Sequence, residues 1–423
     1  MKSIFRLCTS ITAKQQKWAF PSLLGSQRPE VHQWQERFLT VSRSSSFSSS
    51  GSPSTSSGGT SSSDDAAAPE QPQVRLTQLS HGGGCGCKIA PSKLQEILHN
   101  VQLDFGSPEL LVGASTSDDA AVYRLSSTQA LILTTDFFMP IVDDPWDFGR
   151  VAAANAISDV YAMGGKPLLA LSVLGMPVNK LPAGVIRRII AGGADVCRQA
   201  GIPLAGGHSI DSPEPIFGLV VAGLAHPDHI RANSTARPGD VLLLTKPLGV
   251  GAMTTAVKKG LLDEQGYRQV MATMTQLNTV GALLSADTRV HAMTDVTGFG
   301  LLGHLLEVCR GSGLHGRVAA GAVPLMGPAR GLAARGVLPG AVQRNWDSYG
   351  ASVSLGSGVE PWLRDLFVDP QTSGGLLLAV ERGTEEEILR RVQDAGFASA
   401  AVIGSLEAPT AGRTAGTVSV EQQ

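Results

Sequence analysis

From Val74 onward, apolar runs of strand length alternate with segments whose small and apolar residues recur at helical spacing, and this alternation confines the chain to the α/β class. Ala130 to Thr135 reads as a strand that delivers Asp136 at its end. Asp147 to Met163 then reads as a helix: Ala152, Ala153 and Ala154 permit close packing, Asn155 and Asp159 share one face at i,i+4, and Gly164-Gly165 stops it. Leu181 to Ala200 has the pattern of a second, amphipathic helix, and Ile216 to Leu224 that of a buried strand. His226 to Asp240 is polar, carries Pro238-Gly239 and lacks periodicity, which places a domain boundary there. A second α/β half follows, with strands expected near Val241 to Thr245, Val290 to Thr294 and Leu376 to Val380. The expected division is a leader over 1–72, an N-terminal domain over 73–228 and a C-terminal α/β domain over 236–418.

The 423 residues leave room for two ordinary domains. The longest near-uninterrupted apolar run, Ile216 to Ala225, is about half of what a bilayer-spanning helix needs, so no membrane segment is expected. Lys and Arg total 34 against 36 Asp and Glu, and no basic stripe marks a nucleic-acid partner. The leader differs from the rest. Through Ser50 it carries seven Lys or Arg against two Glu and no Asp, and serine dominates from Ser42 to Ser63. Basic, serine-rich and acid-poor sequence is what organelle transit peptides look like, the mitochondrion ranking ahead of the plastid; a disordered extension on a cytoplasmic protein is the alternative. Without the leader 27 basic residues face 31 acidic ones, so bulk positive charge does not hold the ligand.

Five cysteines are too few and too scattered for a disulfide framework, which points to a reducing compartment. Cys197 falls in register with Ile186, Ile189 and Ile190, and Cys309 with Leu302, Leu305 and Leu306, so both read as core. Cys85 and Cys87 instead sit in the run Ser80 to Lys88, where no periodic element is expected. Glycines on both sides leave the Cys85 sulfur unobstructed in this reading, and Lys88 can favour its thiolate or contact a phosphate. Zinc fits poorly, because no second Cys or His pair stands at ligand spacing, and His81 takes no assignment. Gly298 to Gly303 spells a dinucleotide fingerprint without its downstream acid, Asp147-Phe148-Gly149 a kinase triplet without its catalytic loop, and Gly165-Lys166 continues into Pro167 rather than Ser or Thr. What remains is a set of carboxylates, Asp118-Asp119, Asp136, Asp159 and Asp295, none flanked by Lys or Arg. Gathered together they would repel and raise one another's pKa, so they would persist only where cations neutralise them, Mg²⁺ being the natural one.

The stretches Leu76 to Ile89, Asp118-Asp119-Ala120-Ala121-Val122, Thr134 to Phe138, Asn155 to Asp159, Gly206-Gly207-His208-Ser209, Thr294 to Gly300 and Asp369 to Gly375 together resemble selenophosphate synthetase (selenide, water dikinase), most closely the bacterial type. The resemblance runs from about Arg75 to near the C-terminus. It implies a homodimer of two-domain, aminoimidazole-ribonucleotide-synthetase-like (PurM-like) α/β subunits, with ATP and Mg²⁺ binding and dimerisation in 73–228. It implies the conversion of selenide, ATP and water to selenophosphate, AMP and orthophosphate, for selenocysteine and selenouridine synthesis. By carry-over, Cys85 takes the cysteine or selenocysteine position and Lys88 the essential lysine. Asp119, Asp136, Asp159 and Asp295 take the Mg²⁺ positions, and Lys88, Asp119, Asp136, Asp159, Gly207, His208 and Ser209 take nucleotide positions. A monovalent cation and a selenide-delivery protein complete the implied set. A thiamine-monophosphate kinase or a purine-pathway synthetase would share the aspartates but lack the Gly84 to Lys88 loop. A non-catalytic relative would be expected to have lost the cysteine or an aspartate.

Overall fold

The computed structural model describes residues 74–101 and 106–422; the leader lies outside them. Helix α1 (Pro91–Leu98) precedes a six-stranded sheet built from β1 (Leu110–Val112), β2 (Ala121–Arg124), β3 (Ala130–Phe138), β4 (Lys166–Met176), β5 (Leu204–Asp211) and β6 (Ile216–Ala225). The strand order is β1-β2-β3-β6-β4-β5, and only β4 and β5 run parallel. β3 continues past Thr135 to Phe138, so Asp136 lies within the strand rather than at its end.

Helix α2 (Pro145–Ala162) lies on β3 and β6, and α3 (Ala183–Gln199) packs along it. α2 starts two residues before the sequence pattern indicated, because Asp144 accepts a hydrogen bond from the Asp147 amide and Pro145 fits the first turn. From Val151 to Ala162 every residue is buried, which suits a helix with neighbours on all sides. The two helices approach at glycine: a Cβ on Gly149 would stand 1.9 Å from the Ile189 carbonyl oxygen, and one on Gly192 2.1 Å from that of Trp146. Any side chain at either position forces the pair apart.

The other face of this sheet carries Leu133, Phe137, Leu168, Leu171 and Ile210, each between 38% and 56% exposed. The second sheet is closed on both sides at its centre. It comprises β7 (Val241–Leu244), β8 (Val290–Asp295), β9 (His315–Ala319), β10 (Val353–Leu355), β11 (Leu376–Val380), β12 (Ala401–Glu407) and β13 (Thr417–Glu421), in the order β10-β13-β9-β12-β7-β11-β8. Four helices, α4 (Val250–Lys258), α5 (Glu264–Thr275), α6 (Val280–Leu284) and α7 (Gly300–Ser312), separate its earlier strands. Leu242 and Leu244 of β7 face a core shared with Leu301, Leu305 and Leu306 of α7, while Val241 and Leu243 face Val280, Ile388 and Val392. Alternate residues of one strand thus enter two cores, which makes β7 and β11 continuously apolar. Cys197 and Cys309 lie fully buried in the core. No helix among the described residues is long and apolar enough to cross a membrane.

Candidate active site

Three carboxylates from three elements converge. Asp119 lies in the bend before β2, Asp159 is carried near the end of α2, and Asp295 ends β8; ligand oxygens of the three fall within 4.8 Å of one another. Thr294 Oγ1 donates to Asp119 Oδ1 at 3.0 Å, and Thr134 Oγ1 to Asp159 Oδ2 at 2.5 Å. Asp119 Oδ2 and Asp295 Oδ2 are buried and accept no hydrogen bond from the described residues. Burial raises all three pKa values, and Asp295 then raises Asp119 and Asp159 further by like-charge repulsion. Orphaned, buried oxygens on clustered acids are the donor set that hard divalent cations take, so these residues fit Mg²⁺. Asp118 does something else: it accepts from the Thr116 hydroxyl and from the Asn233 amide, fixing the bend that presents Asp119.

Asp136 stands beside this triad and, contrary to the expectation that these acids lack basic partners, has one: Lys88 Nζ lies 3.8 Å from its Oδ2. Asp136, foremost, holds the Lys88 ammonium charged against its burial. Asn155, one helical turn before Asp159, donates to Asp136 Oδ2 at 2.5 Å and accepts from the Cys85 thiol at 3.1 Å and the Ser373 amide at 2.7 Å. Its amide therefore joins the thiol, the Lys88–Asp136 pair and the second domain.

Two expectations about Cys85 are corrected. Gly84–Cys87 forms a 3₁₀ turn, and Cys85 is 1% exposed rather than unobstructed. Gly84 serves close packing, not access: a Cβ there would stand 2.4 Å from Ile141 Cδ1 and 2.5 Å from Thr372 Oγ1, to which the Cys85 amide donates at 2.9 Å, and a Cβ on Gly298 would stand 2.6 Å from the Cys85 carbonyl oxygen. Burial, then Asp136, raises the Cys85 pKa, with Lys88 pulling it back. The resting sulfur is a thiol. Cys87 is half-buried, and its thiol donates to the Gly84 carbonyl at 2.9 Å.

Gly207, His208 and Ser209 are not brought to this cluster within one chain. Asp136, Leu219, Ser172 and Gly207 form one row across β3, β6, β4 and β5, three strand spacings or about 14 Å from end to end. They lie instead on the exposed edge strand.

Sequence reasoning missed the groups that hold the site from behind. Asp369 Oδ2 accepts from the Gly251 and Ala252 amides, and Gln371 Oε1 from Gly249 and Val250, so both cap α4. Burial lifts Asp369 to about 7. Lys246, 1% exposed, donates to the carbonyls of Gln276 at 2.7 Å and Ser373 at 3.0 Å, and burial lowers it to about 7. A lysine between a continuous apolar strand and Pro247 is a signal for such a buried cation.

The fold and this site define a class. Residues 117–225 match the AIR synthase related protein, N-terminal domain, and residues 237–415 its C-terminal domain. The selenide, water dikinase of Burkholderia pseudomallei (strain K96243) is 58% identical over 332 residues, covering 78% of this chain and 94% of that protein. The selenide, water dikinase of Rhizobium meliloti (strain 1021) is 52% identical over 337 residues, 80% of this chain and 97% of that one. The chain belongs to the selenide, water dikinase family. Among solved structures, hydrogenase maturation protein HypE in complex with ATP is similar at a TM-score of 0.54 and 21% identity, covering 82% of this chain and 94% of that one. Thiamine monophosphate kinase from Aquifex aeolicus is similar at 0.52 and 18%, covering 78% and 95%. At those identities the likeness is one of fold.

Proposed function

We propose that this chain uses ATP to convert selenide and water to selenophosphate, AMP and orthophosphate, feeding selenocysteine and selenouridine synthesis. Identity of 52% to 58% with selenide, water dikinases over four-fifths of the chain supports the reaction. The observation that carries it at the site is a buried thiol joined through Asn155 and the Lys88–Asp136 pair to a carboxylate triad. ATP adds about four negative charges, so the triad would repel its substrate unless cations intervened. Asp119, Asp159 and Asp295 would hold Mg²⁺, with Asp136 beside them and a monovalent cation as a further counter-ion. A cation held by these carboxylates would supply electrostatic stabilisation for charge that develops during phosphoryl transfer. Lys88, kept charged by Asp136, can meet either phosphate or thiolate. Asn155 Oδ1 holds the Cys85 proton until that exchange, and burial keeps water from a hydrolysable intermediate.

The homodimer belongs to this reading. The bare apolar face of the first sheet calls for cover. A partner's edge strand would also give Gly207, His208 and Ser209 a route to a neighbouring site that their own chain denies them. The break between β6, ending at Ala225, and β7, starting at Val241, supports the division into 73–228 and 236–418. An organelle address in 1–72 and a selenide-delivery protein complete the proposal.

Purified protein assayed with and without selenide should form AMP and selenophosphate only with it; ATP hydrolysis indifferent to selenide overturns the reading. Within that assay Cys85→Ser should lose about 10³-fold or more, because a hydroxyl supplies no anion at neutral pH, while Cys87→Ser keeps much of the rate. Equal losses would remove Cys85 from its role.

A further inference from the structure

Resting on the selenophosphate reading, we infer that a cavity sharing the Cys85 turn as its wall, but none of the carboxylates, binds hydrogen selenide as an anion through Arg344 and Lys258. The cavity measures about 280 Å³. On one side it meets Gly82, Gly83 and Gly86; on the other stand Lys258 of α4 and Arg344 of the helix Ala341–Tyr349. Lys259 lines it too, and no carboxylate does among the described residues. His81 at its rim is held by Glu214 at 2.9 Å and adds no free charge.

Both principal cations rest on backbone. Lys258 Nζ donates to the Ser80 carbonyl at 3.4 Å, and Arg344 Nη2 to the Gly86 carbonyl at 2.8 Å. A carbonyl fills a donor but leaves the charge unneutralised, and apolar walls at Ile141, Leu338, Pro339 and Pro370 concentrate the resulting field. Among the described residues the lining holds two lysines and an arginine and no carboxylate, which disfavours a metal cation. The lining favours a negative occupant, and the volume admits a small one. Hydrogen selenide, a monoanion at neutral pH, meets both conditions.

The location gives the site its purpose. Gly86 lines this cavity, while its neighbours Cys85 and Cys87 line a separate one of about 230 Å³ with Lys88 and Asp136. An anion held by Arg344 and Lys258 therefore meets the backbone of Gly86, the residue that follows Cys85 in the chain.

Steady-state kinetics of the full chain, with anaerobic sodium hydrogen selenide as the probe, test this. Arg344→Gln and Lys258→Gln should each raise the KM for selenide about tenfold and leave the KM for ATP within about twofold, whereas Arg344→Lys and Lys258→Arg stay near wild type. Raising salt should increase the wild-type selenide KM and affect the double glutamine variant less. The inference is overturned by a double variant with unchanged selenide KM, by charge-retaining variants that fail as badly as neutral ones, or by an effect confined to orthophosphate inhibition. Wild-type protein that forms no AMP in response to selenide would overturn the underlying reading itself, an outcome distinct from all of these.

Discussion

Asp287, in the turn that leads into β8, and Asp295, the strand's last residue, flank it at opposite ends, and their surroundings differ in sign. Asp287 receives Arg289 through Nε and Nη2, both at 2.9 Å, and also Arg391, while Arg289 reaches on to Glu387 at 2.7 Å. These hydrogen bonds, Arg289 first, hold its carboxyl well below the usual range. Asp295 is 1% exposed, lies among other acids and is pushed the other way, chiefly by burial. One end of the strand is a fixture that stabilises the fold. At the other the fold holds charge it has not neutralised, and such charge is kept for what binds it.

The contrast breaks most decisively at the triad. Asp295→Asn or Asp119→Asn should lower selenide-dependent ATP turnover by about 10³-fold or more, yet leave the metal-free melting temperature equal or higher, because one repelling charge is gone. Mg²⁺ at about 100 times its Kd should stabilise the wild type by about 2.7 kcal/mol and the variants far less. Activity near wild type in either variant would end the assignment.

Acid–base titration sharpens the same contrast. Asp119, Asp159 and Asp295 have folded pKa values above the unfolded value of about 3.9, so the native state binds more protons between the two. Stability of the metal-free protein should therefore fall as pH rises from about 4 through the raised pKa values, and Asp295→Asn should flatten that fall. Asp287 acts oppositely: its contribution is present above about 4 and is lost as pH drops below. Urea midpoints measured across pH in chelator reveal both slopes; a metal-free protein that gains stability over the upper range contradicts the first. The smallest effect is expected for Asp287→Asn, a loss of about 1 kcal/mol by urea unfolding with turnover within about twofold of wild type. A large loss of turnover there would erase the distinction between the two ends.

Local pattern reported what local pattern can. The α2 helix, its Asn155/Asp159 face and its stop at Gly164, with φ of 77°, were legible from the small-residue run Ala152 to Ala154, the i,i+4 spacing of the polar pair and the Gly164-Gly165 break. β11 was legible over Leu376–Val380 because both its faces are covered. β9, β10, β12 and β13 were not, since their partly exposed residues interrupt the apolar run. At the site, aspartates flanked by small residues pointed to a cluster. The Lys88–Asp136 pair joins positions 48 residues apart, and the Cys85–Thr372 bond spans 287, and neither leaves a trace in local sequence. Cys85 looked open because glycine signals room for an approaching neighbour without saying whether that neighbour is substrate or, as here, Gly298 and Thr372.

The caps that Asp369 and Gln371 place on α4 have a mechanical meaning. Four helix amides and the Lys246 ammonium pin the segment from Asp369 to Ser373, so that side of the Cys85 pocket is an anvil. The opposing segment, Gly82 to Gly86, consists of glycine apart from Cys85 itself and is fastened to its neighbours chiefly through single backbone contacts. Whatever travel the reaction requires falls on the strip that carries the sulfur, while the surface against which it closes stays still.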